Sequence, residues 1–228
     1  AVGPGDGVDV CSNGTLWYQG SALSSLAASV TPESIPITDL TDAFTDYTTE
    51  HNIIMGRAGA AALTAGAADN TFIGENAGAT TANSTAATDS NVAVGTSALR
   101  MLTSGTLDTA VGAYALRNNT TGQFNTAFGT YALFTNTTNG SNTAVGHSAL
   151  YFNTAAGITA VGYSALTNNT TGNDNVAMGY SALSTNKAAS GNTALGYSAM
   201  LYANDTTTAT TTYNTALGAF ALQGSTTA

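Results

Sequence analysis

Charge is what this sequence most conspicuously lacks. Only 7% of its 228 residues are charged, against roughly 25% in an ordinary soluble domain. Four cations (Arg57, Arg100, Arg117 and Lys187) stand against thirteen acids, for a net charge of −9. Binding nucleic acid by counterion release takes clustered Lys and Arg, and attraction to an anionic membrane surface takes the same. Neither partner is expected. No stretch approaches the roughly 20 apolar residues that span a bilayer, since the run over 58–68 is short and rich in Ala and Gly, so membrane insertion is not expected either. A single cysteine excludes an intrachain disulfide. Cys11 reads either as a small buried apolar residue or as an interchain contact near a symmetry axis.

Catalytic equipment is equally scarce. The chain has two histidines, His51 and His147, and no Cys/His cluster that would hold zinc. Gly-x-Ser recurs, as in Gly146-His-Ser148, but never completes a Gly-x-Ser-x-Gly nucleophile elbow. Asp42 and Asp46 lie four apart, a spacing that suits a shared cation or a solvated helix face. No enzyme activity, no cofactor and no metal are expected. Hydroxyl and amide side chains, not charge, keep this surface wet, which suits an exported protein. No leader is visible, so export is expected to be directed from outside this chain.

Proline is confined to the first fifty residues (Pro4, Pro32, Pro36), along with Cys11, Trp17 and seven of the acids. The composition then changes abruptly, which divides the chain into a module over 1–50 and a repeat domain over 51–228. Within the module, Asn13-Gly14 separates two short alternating runs and predicts a β-hairpin, because both residues tolerate the positive φ of a type I′ turn. Leu40, Phe44 and Tyr47 recur at helical spacing behind Asp39, which predicts one short helix or a compact loop.

What fills the rest is one motif in ten copies, aligned on Gly56, Gly74, Gly95, Gly112, Gly129, Gly146, Gly162, Gly179, Gly196 and Gly218. The steps between them are 18, 21, 17, 17, 17, 16, 17, 17 and 22 residues. Typical units read Asn-Thr-Ala-Phe-Gly-Thr-Tyr-Ala-Leu (125–133) and Asn-Thr-Ala-Leu-Gly-Tyr-Ser-Ala-Met (192–200). Four residues before the glycine stand eight Asn, Asp108 and Ile158, and the residue just before it is always apolar. The last eight copies carry Ala two before the glycine and Leu or Met four after it. Thr-Ala-Val has the period of two of a strand. Glycine supplies a bend or close approach that a Cβ would forbid, and Ala-Leu is read as the start of a return strand. Segments such as 118–122 and 168–172 read as turns. A coil of about 17 residues is too short for a helical repeat. It predicts an all-β parallel β-solenoid of about ten coils with stacked Asn ladders.

Two surface readings follow from the same pattern. Both residues of the Ala-Φ pair are apolar although they face opposite sides of a strand. The large one, Val145 or Phe128, is expected to fill the coil. The small face (Ala127, Ala144, Ala160, Ala177 and Ala194) is then expected to be an oligomer interface, unless Ala merely fits a thin interior. Tyr163, Tyr180 and Tyr197 share one slot in consecutive coils. They read as a ladder that stabilises the solenoid or as a ligand strip. The sequons at Asn83, Asn119, Asn136, Asn169 and Asn204 arise from composition alone in so Asn/Thr-rich a chain.

The repeats over about 51–223 resemble the head repeats of trimeric autotransporter adhesins and, more closely, the Asn-Thr-Ala-x-Gly-x-x-Ala-Leu repeats of phage tail fibres and secreted bacterial fibre-like proteins. The resemblance implies a left-handed β-roll, an obligate homotrimer and an extracellular, cell-surface or virion location. It implies attachment to a cell-surface glycan or protein receptor. The alternative is a purely structural spacer or filament subunit. The 17-residue period is longer than that of adhesin heads. Neither an anchor barrel nor a C-terminal chaperone follows, and the chain is expected to be a mature or truncated form.

Overall fold

The computed structural model describes residues 8–10, 16–18, 43–46, 52–56, 67–78, 89–202 and 210–224. The chain separates into two compact units, Ala1–Leu40 and Thr41–Ala228. In the first, β1 (Val8–Val10) pairs antiparallel with β2 (Leu16–Tyr18). The Asn13-Gly14 turn expected between them lies outside the described residues.

The second unit is a parallel β-solenoid. Its first strand, β3 (Ala43–Asp46), runs antiparallel to β4 (Asn52–Met55). After it the chain lays down β5 (Thr71–Ile73), β6 (Val92–Val94), β7 (Thr109–Val111), β8 (Thr126–Phe128), β9 (Thr143–Val145), β10 (Thr159–Val161) and β11 (Val176–Met178). The series closes with β12 (Ala189–Ser190), β13 (Thr193–Leu195), β14 (Thr210–Thr211) and β15 (Thr215–Leu217). From β4 to β15 the motif strands stack in parallel and in chain order, and β12 and β14 form a small parallel pair beside them. The register is fixed by the motif, so that Ala144 lies beside Ala127 on one side and Ala160 on the other. Seven successive turns run without a break over residues 89–202, fewer than the ten coils expected.

The motif strands from β5 onward are only three residues long because the glycine that follows cannot continue them. Gly129 has φ +136°, and a Cβ added there would sit 2.6 Å from the carbonyl oxygen of Gly146 in the next coil. Glycine is needed here twice over, for the left-handed φ and for the approach of the neighbouring backbone. Backbone bonds leave alternately up and down the stack. Thr109 N–H donates to Asn125 O on one side (2.8 Å), and Gly129 N–H donates to Val111 O on the other (2.7 Å).

The return strand expected after the glycine does not form. In its place the chain makes a tight turn in which the second and fourth residues after the glycine adopt left-handed φ: Ser148 (55°) and Leu150 (54°), Ser181 (50°) and Leu183 (51°). Non-glycine residues enter this region at a cost of order 1–2 kcal/mol. The stack holds them there, since Ser148 N–H donates to Thr130 O of the coil before and Leu150 N–H to Ala165 O of the coil after. The helix or loop expected around Phe44 is likewise absent. Phe44 lies in β3, paired with Ile54, because an open sheet edge offers its residues backbone partners that outweigh a local three- and four-residue spacing.

Candidate functional site

Three longitudinal features are candidates for function: the outward face of the sheet, an aromatic seam, and the asparagine ladders inside. The expected sidedness of the strands is reversed. Ala127, Ala144, Ala160, Ala177 and Ala194 are 0% exposed within a single chain. They belong to the core with Leu133, Leu150, Leu166, Leu183 and Met200. They are not available as an oligomer interface. The reason is thickness: the leucine four residues after the glycine enters the coil from the turn side, and what remains opposite it admits a methyl group. The large residues before the glycine therefore point outward. Phe128 is 56% exposed, Met178 and Leu195 are 42% exposed, and Val111, Val145 and Val161 are half-buried. Beside this apolar row runs a second, composed of Thr126, Thr143, Thr159, Val176 and Thr193. Both rows are free of charge.

Tyr163, Tyr180 and Tyr197 do form a row. Their ring centroids are 5.1 and 5.2 Å apart with interplanar angles of 8° and 10°. His147 continues the stack onto Tyr163 at 5.2 Å. Tyr131 meets His147 edge-on and Tyr114 face-on, and Phe220 meets Tyr197 edge-on. The three expected tyrosines are thus the middle of a seven-ring seam. The seam was harder to see in sequence because its aromatic slot shifts from two residues after the glycine (Tyr114, Tyr131) to one (His147 onward) and back at Phe220. In the stacked part the rings cover one another's faces, so a ligand would meet ring edges, phenol hydroxyls and the His147 imidazole. A shallow groove of about 420 Å³ is lined by Thr135, Phe152, Thr154, Asn168, Thr170 and Lys187. The hydroxyls of Thr135, Thr154 and Thr170 already donate to Tyr151, Thr170 and Lys187 carbonyls, which leaves them to a ligand as acceptors.

Two asparagine ladders run inside. In the first, formed by the residue four before the glycine, each Oδ1 accepts the backbone N–H of the next rung. Examples are Asn91 N–H to Asn70 Oδ1 (3.0 Å), Asn142 N–H to Asn125 Oδ1 (3.2 Å) and Asn192 N–H to Asn175 Oδ1 (2.9 Å). Nδ2 donates to a backbone carbonyl of its own turn, as from Asn125 to Asn139 and from Asn175 to Ala189. Ile158 accepts from nothing by its side chain and interrupts this relay. The second ladder, Asn119, Asn136, Asn153, Asn169 and Asn186, is fully buried and linked through Nδ2 to Oδ1, as from Asn186 to Asn169 (2.8 Å). Its signal in the sequence is an Asn six residues ahead of the motif Asn, at 119, 136, 169 and 186. The sequons at Asn119, Asn136 and Asn169 are therefore internal rungs with no access for a glycan. The buried Oδ1 atoms of Asn136 and Asn186 accept no hydrogen bond. The donor that Asn136 lacks is Asn153, which stands just ahead of the 16-residue step and whose side chain turns back to Ala155.

Asp108 replaces Asn in the first ladder. Its Oδ1 accepts from Asn125 N–H and its Oδ2 from Asn119 Nδ2, both at 2.8 Å. Burial raises its pKa from 3.8 to about 7, against these hydrogen bonds, which pull it down. Among the described residues no group of three or more His, Cys, Asp or Glu could hold a metal ion, and no helix is long and apolar enough to cross a membrane. Comparison with protein-family models, with curated proteins and with solved structures finds no match to this chain. Its likeness to adhesin heads and phage fibres accordingly rests on the repeat pattern alone.

Proposed function

We propose that this chain is a subunit of an extracellular homo-oligomeric attachment fibre, a trimer of left-handed rolls that presents a receptor-binding face on a rigid rod. The observation that carries the reading is the outward apolar row from Val94 to Leu217, which a lone chain leaves in water over the length of the solenoid. Single exposed apolar residues need no explanation, but a contiguous uncharged row marks a contact surface. The same row, not the buried alanines, is the lateral interface in this proposal. Light scattering tests it: the 22.7 kDa chain should run as a trimer, and Phe128→Glu with Leu195→Glu should return it to monomer while the circular dichroism of the coils persists. A monomeric parent at micromolar concentration removes the proposal.

A second reading, a spacer without a ligand, is favoured by the aromatic seam, whose stacked faces stabilise neighbouring coils and are closed to a sugar ring. Replacing Tyr163, Tyr180 and Tyr197 by Ser separates the two. Binding to cells or surface glycans that is lost at unchanged melting temperature supports attachment through the seam. A lowered melting temperature, in a protein whose parent binds no cell, supports the spacer.

A further inference from the structure

We infer that Tyr163, Tyr180 and Tyr197 form a site of oxidative modification, whether or not the chain is a fibre subunit. At this site a one-electron oxidant of the peroxidase class joins neighbouring phenols into a covalent staple between coils. The fold leaves the phenol chemistry of these residues unused. Their rings stack with centroids 5.1 and 5.2 Å apart and planes within 8° and 10° of parallel. Stacking of this kind needs rings and not hydroxyls, and Phe134 stacks on Tyr151 as closely, at 5.0 Å and 16°. Among the described residues none hydrogen-bonds the hydroxyl of Tyr163, Tyr180 or Tyr197.

The three side chains are open to a reagent, at 49%, 48% and 50% exposed. Stacking covers the ring faces, so the exposed part is the edges that carry the hydroxyl and its flanking carbons. The backbone beneath holds the stack in register: Ser181 N–H donates to Tyr163 O (2.9 Å) and Ser198 N–H to Tyr180 O (2.8 Å). Neighbouring phenols thus meet within one molecule rather than by diffusion, the condition under which coupling outruns an encounter between chains. All three leave the same slot, one residue after the glycine, with nearly parallel planes, so equivalent ring edges point the same way. A tilt of either ring, a fast motion for an exposed side chain, brings two ortho carbons together.

In the reaction each of two phenols gives up one electron and its hydroxyl proton to the oxidant. The two phenoxyl radicals join through a new carbon–carbon bond ortho to the hydroxyls. The hydrogen on each joined carbon then moves to its oxygen, which restores both rings and both hydroxyls. Two electrons and two protons leave the chain for each staple, and with hydrogen peroxide as the terminal oxidant they convert one peroxide to two waters. Tyr180 has a partner on either side, so the staple runs from Tyr163 to Tyr180 or from Tyr180 to Tyr197. Two contrasts lie in the same chain. Tyr114 and Tyr131 stack at 5.1 Å but are half-buried, which places them behind the exposed three in reactivity. Tyr213 is 78% exposed but stacks on no described ring.

The full chain, treated with a haem peroxidase and hydrogen peroxide, tests the assignment. The expected product runs as a single chain in a denaturing gel, is lighter by two hydrogens and shows the fluorescence of a biphenol. Pepsin digestion should release from it a pair of peptides linked through Tyr180. Tyr180→Phe keeps the ring stack but separates the two remaining phenols by a whole coil, and should lose most of the single-chain product. Tyr213→Phe should leave the yield unchanged. A staple that closes 17 residues, from 163 to 180, should lower the unfolding constant in urea roughly a hundredfold, the effect of a cross-link over a loop of that size. No product, or cross-links between chains only, overturns the inference. So does a single-chain product at full yield in Tyr180→Phe, or a stapled chain that unfolds as readily as the untreated one.

Discussion

Asp108 gives the sharpest test of how this interior is held together. Its carboxyl sits where eight other coils place an amide, and burial moves its pKa from 3.8 to about 7. The folded state thus holds the proton more tightly than the unfolded chain does. The protonated rung is fully compatible with folding below about pH 4, and stability falls as pH rises from about 4 towards 7, where the folded state loses the proton in turn. At 1.36 kcal/mol per pKa unit the whole displacement is worth roughly 4 kcal/mol, an upper value for a single rung. Asp108→Asn removes the titration. The new Nδ2 has a partner ready in Gly122 O, which Asn119 Nδ2 already uses, just as Asn125 and Asn136 share Asn139 O in the next coil. Urea denaturation followed by circular dichroism should show the variant more stable than the parent by about 2–4 kcal/mol at pH 8 and nearly equal to it at pH 4. Equal stability at pH 8, or a variant that is weaker at both, would refute the idea that an ionised carboxylate is buried in the ladder.

Other perturbations test the remaining parts of the coil. Gly129→Ala combines a left-handed φ with a Cβ 2.6 Å from Gly146 O and should cost at least 3 kcal/mol, read as a lost or split thermal transition. Leu150→Ala empties the fully buried turn side of one coil and should cost about 2–5 kcal/mol in the same melt. Asn125→Ala strips the acceptor from Asn142 N–H and a donor from Asn139 O; at about 1–3 kcal/mol for each buried group left unpaired, hydrogen exchange should rise first in the coils around 125 and 142.

The sequence alone determined the coil. A glycine every 17 residues, an apolar residue before it and an Asn four before it are local demands of one bend, one strand and one ladder, and repetition makes them audible. Parallel stacking follows, because a strand that recurs every turn in the same direction has no other partner. The second ladder was also written in the spacing, six residues ahead of the first. Which side of the strand faces inward was not. A period of two tells apart two faces of Thr-Ala-Val but does not say which is the interior. That was decided by a residue outside the strand, the leucine four past the glycine, held at positive φ by bonds to the coils on either side. Once Leu150 occupies the coil, only the methyl group of an alanine fits across from it, and the larger Val145 and Phe128 are turned out to the surface.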